Sequence, residues 1–258
     1  MMLTDNLTNE YIGLIFLLLF LSLLIFFIIR EYRHKQTGDL TDDLRPILAF
    51  TRLRRAADKA VEAGKQMHIS LGNGGLIGLQ AASAFIGLSV LRRISKRIGQ
   101  SDHPAIATSG DGAVAILSED TLKASGIKKE TATPSEFIGQ VSGLTPFSYA
   151  VGAHMTMQEM DVTSNFLAGH YCSEIGLIID AGERNEGEII GGSQDLLAGS
   201  ILYAGADEPL IGEELFVAGA YLDASPAHIA SLRVQDLIRW ILAGIILIGS
   251  VLKLARLW

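Results

Sequence analysis

The chain has 258 residues, 49 % of them hydrophobic, and a positive mean hydropathy; this is more apolar than one soluble domain of that size requires, so part of the excess belongs in lipid. Its net charge is −7, and between Ser101 and Ala230 only four Lys/Arg (Lys123, Lys128, Lys129, Arg184) stand against 19 Asp/Glu, a balance that repels phosphate backbones and excludes a nucleic-acid binder. The single cysteine, Cys172, excludes an internal disulfide framework and leaves a cytosolic thiol as the simpler reading.

In chain order, the first element is Tyr11 to Ile29, "YIGLIFLLLFLSLLIFFII", an uncharged run of the length a bilayer requires, about 20 residues at ~1.5 Å each. The leader before it is acidic and the run ends in "REYRHK", so it reads as an uncleaved anchor and not as a secretory signal. Arg30, Arg33 and Lys35 follow the run while Asp5 and Glu10 precede it, which predicts an N-terminus outside and a following domain in the cytoplasm.

Leu40 to Gly64 is predicted as a helix, with Asp42 or Asp43 as cap, Pro46 in the first turn and Gly64 as the stop. Its other face carries Arg52, Arg54, Arg55, Lys59 and Lys65, suited either to anionic headgroups or to solvent.

Short apolar or β-branched runs then alternate with longer helical ones. The strands are "HISL" (68–71), "AIATS" (105–109), "FIGQV" (137–141), "SNFLAG" (164–169), "EIIGG" (188–192) and "EPLIG" (208–212). The helices are 76–98, 113–124, 146–160, 173–184, 194–203 and 213–222. This alternation predicts an α/β fold, a Rossmann-like and mainly parallel sheet with helices on both faces.

At the C-terminus, "RWILAGIILIGSVLKLARLW" (239–258) has an apolar core of only 13 residues, Trp240 to Leu252. Trp240 and Trp258 bracket it 18 positions apart, ~27 Å along a helix and close to the spacing of two interfacial aromatic belts. A second span is preferred, with an in-plane helix as the alternative. The chain thus divides into an extracytoplasmic leader (1–10), a transmembrane helix (11–29), a basic juxtamembrane segment with an amphipathic helix (30–64), a cytoplasmic α/β domain (65–232) and a C-terminal transmembrane helix (233–258).

Ligands of such folds bind beyond the carboxyl ends of the strands. The residues that could reach one there are Gly72, Asn73, Gly74 and Gly75 after the first strand, Ser109 and Asp111 after the second, His170 after the fourth and Ser193 after the fifth. Glycines let backbone amides approach an anion, but a dinucleotide loop places its third glycine where Ile77 stands, and no Walker Lys-Ser/Thr pair is present. A nucleotide therefore remains a candidate ligand beside a plain tight turn, and no cofactor is assigned. Asp111, Glu174, Asp195, Glu213 and Glu214 lie at helix starts and read as caps before metal ligands, so no metal site is assigned. His170 and Cys172 could be imagined as base and nucleophile, but no residue can be assigned to orient the histidine.

The segments "HISLGNGGLIGLQAA", "PFSYAVGA", "IGEELFVAGAYL" and "PAHIASLRVQDLIRW" are similar to those of an uncharacterised family of bacterial membrane proteins, in which a soluble domain of unknown function is joined to membrane segments. The resemblance implies a bacterial membrane protein, which with the predicted topology is expected in the inner (cytoplasmic) membrane, and it brings no activity, cofactor or catalytic residue. Two functions follow. A membrane-anchored homo-oligomeric scaffold or ligand-sensing module is preferred, with the bilayer and further copies of itself as partners. The alternative is a tethered enzyme acting on a nucleotide, sugar phosphate or other small anion at the glycine loops.

Overall fold

The structure, a computed structural model, describes residues 2–34, 45–98, 103–125, 139–160, 162–223 and 226–254. Its elements run α1 (Met2–His34), α2 (Leu48–Ala63), β1 (Gln66–Gly72), α3 (Ala81–Ile98), β2 (Ile106–Ser109), α4 (Gly112–Ala124), β3 (Gly139–Val141) and α5 (Pro146–Glu159), then β4 (Val162–His170), α6 (Ile175–Arg184), β5 (Glu188–Ser193), α7 (Leu196–Gly205), β6 (Glu208–Leu210), α8 (Ala218–Asp223) and α9 (Pro226–Leu254). They form two units: Arg45–Asp223, and the segments before and after it.

The unit Arg45–Asp223 is built on six parallel strands in the order β3-β2-β1-β4-β5-β6. Side chains alternate across β1. Met67, Ile69 and Leu71 enter a core with Phe50 and Leu53 of α2, Leu91 and Ile94 of α3, and Phe166 and Ala168 of β4. The opposite face carries Leu167 and Ile189 against Tyr149 and Met157 of α5, Ile175 and Ile178 of α6, and Leu202 of α7. Both faces of the sheet are buried, and each large aliphatic so enclosed contributes ~1.5–3 kcal/mol. Helix starts follow local chemistry. Asp111 accepts from the amides of Ala113 and Val114, Asp195 from those of Leu197 and Ala198, and Thr145 forms a capping box with Ser148 ahead of Pro146.

All six strands stand where the sequence placed them, although Phe137 and Ile138 of the third lie outside the described residues. In this unit helix boundaries differ by more than two residues in three places. The helix expected from residue 76 begins at Ala81, because Gly78 adopts φ +87 and holds the preceding chain out of helical geometry. The helix expected from residue 40 begins at Leu48 after an extended Ile47, with Arg45 just before Pro46; Asp42 and Asp43 lie outside the described residues. Its stop is as expected, Gly64 at φ +64 closing it in the left-handed conformation. The stretch 213–222 is split into a 3₁₀ turn, Gly212–Leu215, and α8.

In the other unit, α1 and α9 pack against each other. Both are long and apolar enough to cross a membrane, over Gly13–Arg33 and Pro226–Leu254. With 29 residues α9 is ~43 Å long, more than the ~30 Å hydrocarbon core. Its polar first half therefore extends the apolar stretch that begins at Trp240. Glu31 is fully buried with Oε1 3.1 Å from Nη1 of Arg233, joining the polar end of α1 to the polar half of α9. Lys35, Arg256 and Trp258 lie outside the described residues.

Helix α3 seats on the sheet through Gly87, where a Cβ would lie 2.5 Å from the Ala168 carbonyl oxygen and 2.7 Å from Cδ2 of Leu71, whereas Gly199 in α7 faces open space. Gly87→Ala should destabilise the protein by ~1–3 kcal/mol through overpacking. Gly199→Ala should stabilise it by ~0.5–1 kcal/mol through helix propensity. Denaturant unfolding of the two variants beside the parent checks both signs.

Candidate functional site at the carboxyl edge of the sheet

In a doubly wound sheet the crevice lies where the strand order reverses, here between the carboxyl ends of β1 and β4. Gly72 and His170 are register partners at that point. The residues expected to form a site do meet here. The Asn73 amide donates to the His170 carbonyl (3.1 Å) and the Gly110 amide to the Gly72 carbonyl (2.8 Å), which ties the β1, β2 and β4 loops together. Ser109 Oγ accepts from the Asp111 amide at 3.0 Å, and Ser193 Oγ from the amides of Asp195 (3.2 Å) and Tyr171 (3.4 Å).

The glycines are used for close packing. Gly72 has φ +77, and a Cβ on it would lie 2.5 Å from the His170 carbonyl oxygen; one on Gly74 would lie 2.9 Å from Cβ of His170, and one on Gly75 3.2 Å from Oδ2 of Asp111. Residues 73–80 then run as a non-helical loop before α3. A phosphate loop passes directly into its helix so that the first amides face the anion; here that passage is interrupted, and the first amides of α4 and α7 are taken by the carboxylates of Asp111 and Asp195.

Glu174 plays a part that its position at a helix start did not reveal. It is buried and makes no side-chain cap on α6. Its Oε1 instead accepts from Nδ2 of Asn73 at 2.8 Å and from the Cys172 amide at 3.0 Å, clamping the β1 loop to the β4 loop across the crevice. Among the described residues no three His, Cys, Asp or Glu side chains converge to hold a metal ion. Cys172 Sγ lies 4.0 Å from Nε2 of His170, and burial, with the negative charges of Glu174 and Asp195, raises the thiol pKa. The pair lacks the cationic surroundings that make a thiolate.

Beneath the crevice, on the α5–α6 side, lies a buried polar network. Tyr149 OH meets Ser70 Oγ, accepts from the Gly72 amide (3.2 Å) and reaches Thr108 Oγ1 (3.3 Å), while Tyr171 OH donates to the Ser70 carbonyl at 2.7 Å. His68 completes it, with Nδ1 3.1 Å from Oδ1 of Asn165 and Nε2 2.8 Å from Oγ1 of Thr108. The amide oxygen can only accept, so Nδ1 carries the proton and Nε2 accepts from the threonine. Burial lowers the His68 pKa to about 4 and raises those of both tyrosines. The lone histidine thus holds three strands together, as a structural residue.

Exposed apolar side chains crown this same edge: Ile77 (93 %) and Leu79 (94 %) after β1, Leu144 (78 %) after β3 and Leu196 (87 %) after β5.

A doubly wound α/β unit flanked in sequence by two apolar helices long enough to span a membrane defines the class of this protein. Residues 5–257 match the family described as a domain of unknown function, DUF6754, and the chain belongs to that family. No curated protein and no solved structure matches it.

His68 gives the network a pH signature. Its folded pKa lies below the ordinary 6.5, so the unfolded chain binds the extra proton as pH falls. The stability tied to neutral His68 is full above about pH 6.5, declines towards pH 4 and is gone below it, ~3 kcal/mol in all. In His68→Gln the loss of unfolding free energy between pH 7 and pH 4 should be smaller than in the parent by about that amount; equal losses would count against the assignment.

Proposed function

We propose that this is a membrane-anchored, homo-oligomeric scaffold or ligand-sensing module of the bacterial cytoplasmic membrane, with its α/β domain on the cytoplasmic side. The observation that carries the reading is the carboxyl edge, which presents Ile77, Leu79, Leu144 and Leu196 outward while its crevice is filled by Gly72, Asn73, His170 and Glu174 packed on one another. That surface suits a second copy of the chain. Domains tethered to one bilayer meet at raised effective concentration, so a modest apolar contact is enough to assemble them. Open space at Gly244 and Gly249 of α9 and at Gly13 of α1 would let neighbouring helices approach closely. The enzyme alternative draws on the strand order, whose reversal point is where such folds take nucleotides; the carboxylate-capped amides of α4 and α7 weigh against a phosphate there.

In lipid nanodiscs the parent should have a multimeric mass over a range of concentrations, and Ile77→Asp with Leu79→Asp, both in an exposed loop, should lower it without altering the unfolding midpoint. A monodisperse monomeric parent would remove the reading. The orientation rests on Arg30 and Arg33 after the apolar run, with Asp5 and Glu10 before it. Asn6→Cys in a Cys172→Ser background should react with a membrane-impermeant maleimide on intact cells, and protection would place the leader inside.

A further inference from the structure

The helices on the two faces of the sheet differ in what they turn outward. On α2 the charged residues Arg52, Arg54, Arg55, Asp58, Lys59 and Glu62 all stand outside the core, as expected of a helix with one face in water. On the opposite face, α5 has no Asp, Glu, Lys or Arg before its last residue, Glu159, and α7 has none at all. A helix that is apolar on every side is normally enclosed. Yet Phe147 and Val151 of α5 and Leu196 and Leu197 of α7 are each more than half exposed.

The topology gathers these side chains. Each of α5, α6 and α7 follows a parallel strand, so their first turns all lie at the carboxyl edge, and α6 packs against both of the others. Leu177, in the first turn of α6, is exposed as well. The apolar shoulder so formed runs into the crown of the sheet through Leu144 and Leu196. With Ile77 and Leu79 it exposes eight apolar side chains, which at roughly 100 Å² each present on the order of 800 Å². The largest apolar patch of an ordinary monomer is roughly 300–600 Å², whereas about 800 Å² is the share that one partner brings to a stable interface.

Charge decides what covers this face. Arg184 is the one Lys or Arg in α5, α6 and α7, and it pairs with Asp180 at 2.8 Å. Interfacial helices reach anionic headgroups with Lys and Arg, which this face lacks. Glu159 and Glu183 are at the C-terminal ends of α5 and α6, away from the carboxyl edge. A second copy brings an apolar face of the same size, and across a two-fold axis one patch serves both partners.

We infer that two copies of this chain dock through the shoulder formed by the first turns of α5, α6 and α7, related by a two-fold axis. This pairing rests on the homo-oligomeric reading and gives it a surface and a symmetry: the crown is one margin of a contact whose larger part is on the helices. Glu159 and Glu183 then stand at the rim, in water.

Sedimentation of the purified full chain in a mild neutral detergent, over a range of concentrations, tests the pairing. The parent should associate reversibly. Phe147→Asp with Leu197→Asp should raise the dissociation constant at least about ten-fold, with the unfolding midpoint of the monomer unchanged. Phe85→Asp with Ile116→Asp, which places the same charges at exposed positions of α3 and α4, should leave the constant as it is. In a Cys172→Ser background, Val151→Cys should be joined into covalent dimers by a short bis-maleimide, and Ile116→Cys should not. A monomeric parent would overturn the homo-oligomeric reading and the pairing with it. A parent that associates just as tightly after Phe147→Asp with Leu197→Asp, or is weakened equally by the α3 and α4 changes, overturns the pairing alone and leaves the face to another partner. Absence of the Val151→Cys dimer overturns the two-fold arrangement.

Discussion

The closeness of the β1 and β4 backbones at the centre of the sheet is the constraint on which the rest of this structure depends. A Cβ on Gly169 would lie 2.1 Å from the Leu71 carbonyl oxygen, one on Gly72 2.5 Å from that of His170, and one on Gly87 2.5 Å from that of Ala168. Three glycines thus admit a neighbouring strand, a turn and a helix to one small region, where any side chain would push them apart. Because β1 and β4 lie so close at their carboxyl ends, Asn73 can reach Glu174 and the β1 loop can bond the β4 loop, which fills the crevice that such folds commonly leave open.

The same centre carries polar groups on one face and aliphatic groups on the other. His68 and Ser70 alternate with Met67, Ile69 and Leu71 along β1, and each buried polar atom is costly unless it is bonded. The tyrosines of α5 and of the segment after β4 satisfy Ser70, while Asn165 and Thr108 satisfy His68, so α5 and the β4 terminus are held in place by hydrogen-bond direction as well as by area. Apolar packing alone would tolerate small shifts of α5; a network with fixed donors and acceptors specifies one position.

The ends of the α/β unit complete the picture. Tyr221 OH donates to the Arg45 carbonyl and its ring stacks on Phe50 at 5.2 Å, so the chain enters and leaves this unit at one place. Such an arrangement suits a domain carried by two helices, and α1 and α9 themselves pack as a pair with a buried Glu31–Arg233 contact. Breaking one partner of a buried pair is more damaging than omitting both, because an uncompensated charge remains out of water. The family is described as a domain of unknown function, and this chain presents an apolar crown at the carboxyl edge of its sheet.

The amino-acid sequence by itself determined the two apolar helices, the six strands and the Asp111 and Asp195 caps, since each depends on neighbours within a few positions: a continuous apolar run, a short β-branched run between turn residues, a carboxylate two or three residues from free amides. It also pointed to the loops at the carboxyl edge and to eight candidate residues in them, because loops at strand ends follow from the alternation of elements. Their roles were not legible. Gly72 and Gly74 are glycines because of His170, and Glu174 is a clamp because of Asn73, 101 positions away. His68 finds Asn165 at a separation of 97. The strand order, the closure of the crevice and the gathering of exposed apolar side chains from α5, α6 and α7 were decided only by the tertiary structure, because contacts between distant segments depend on how the sheet is wound, and residue spacing carries no record of that winding.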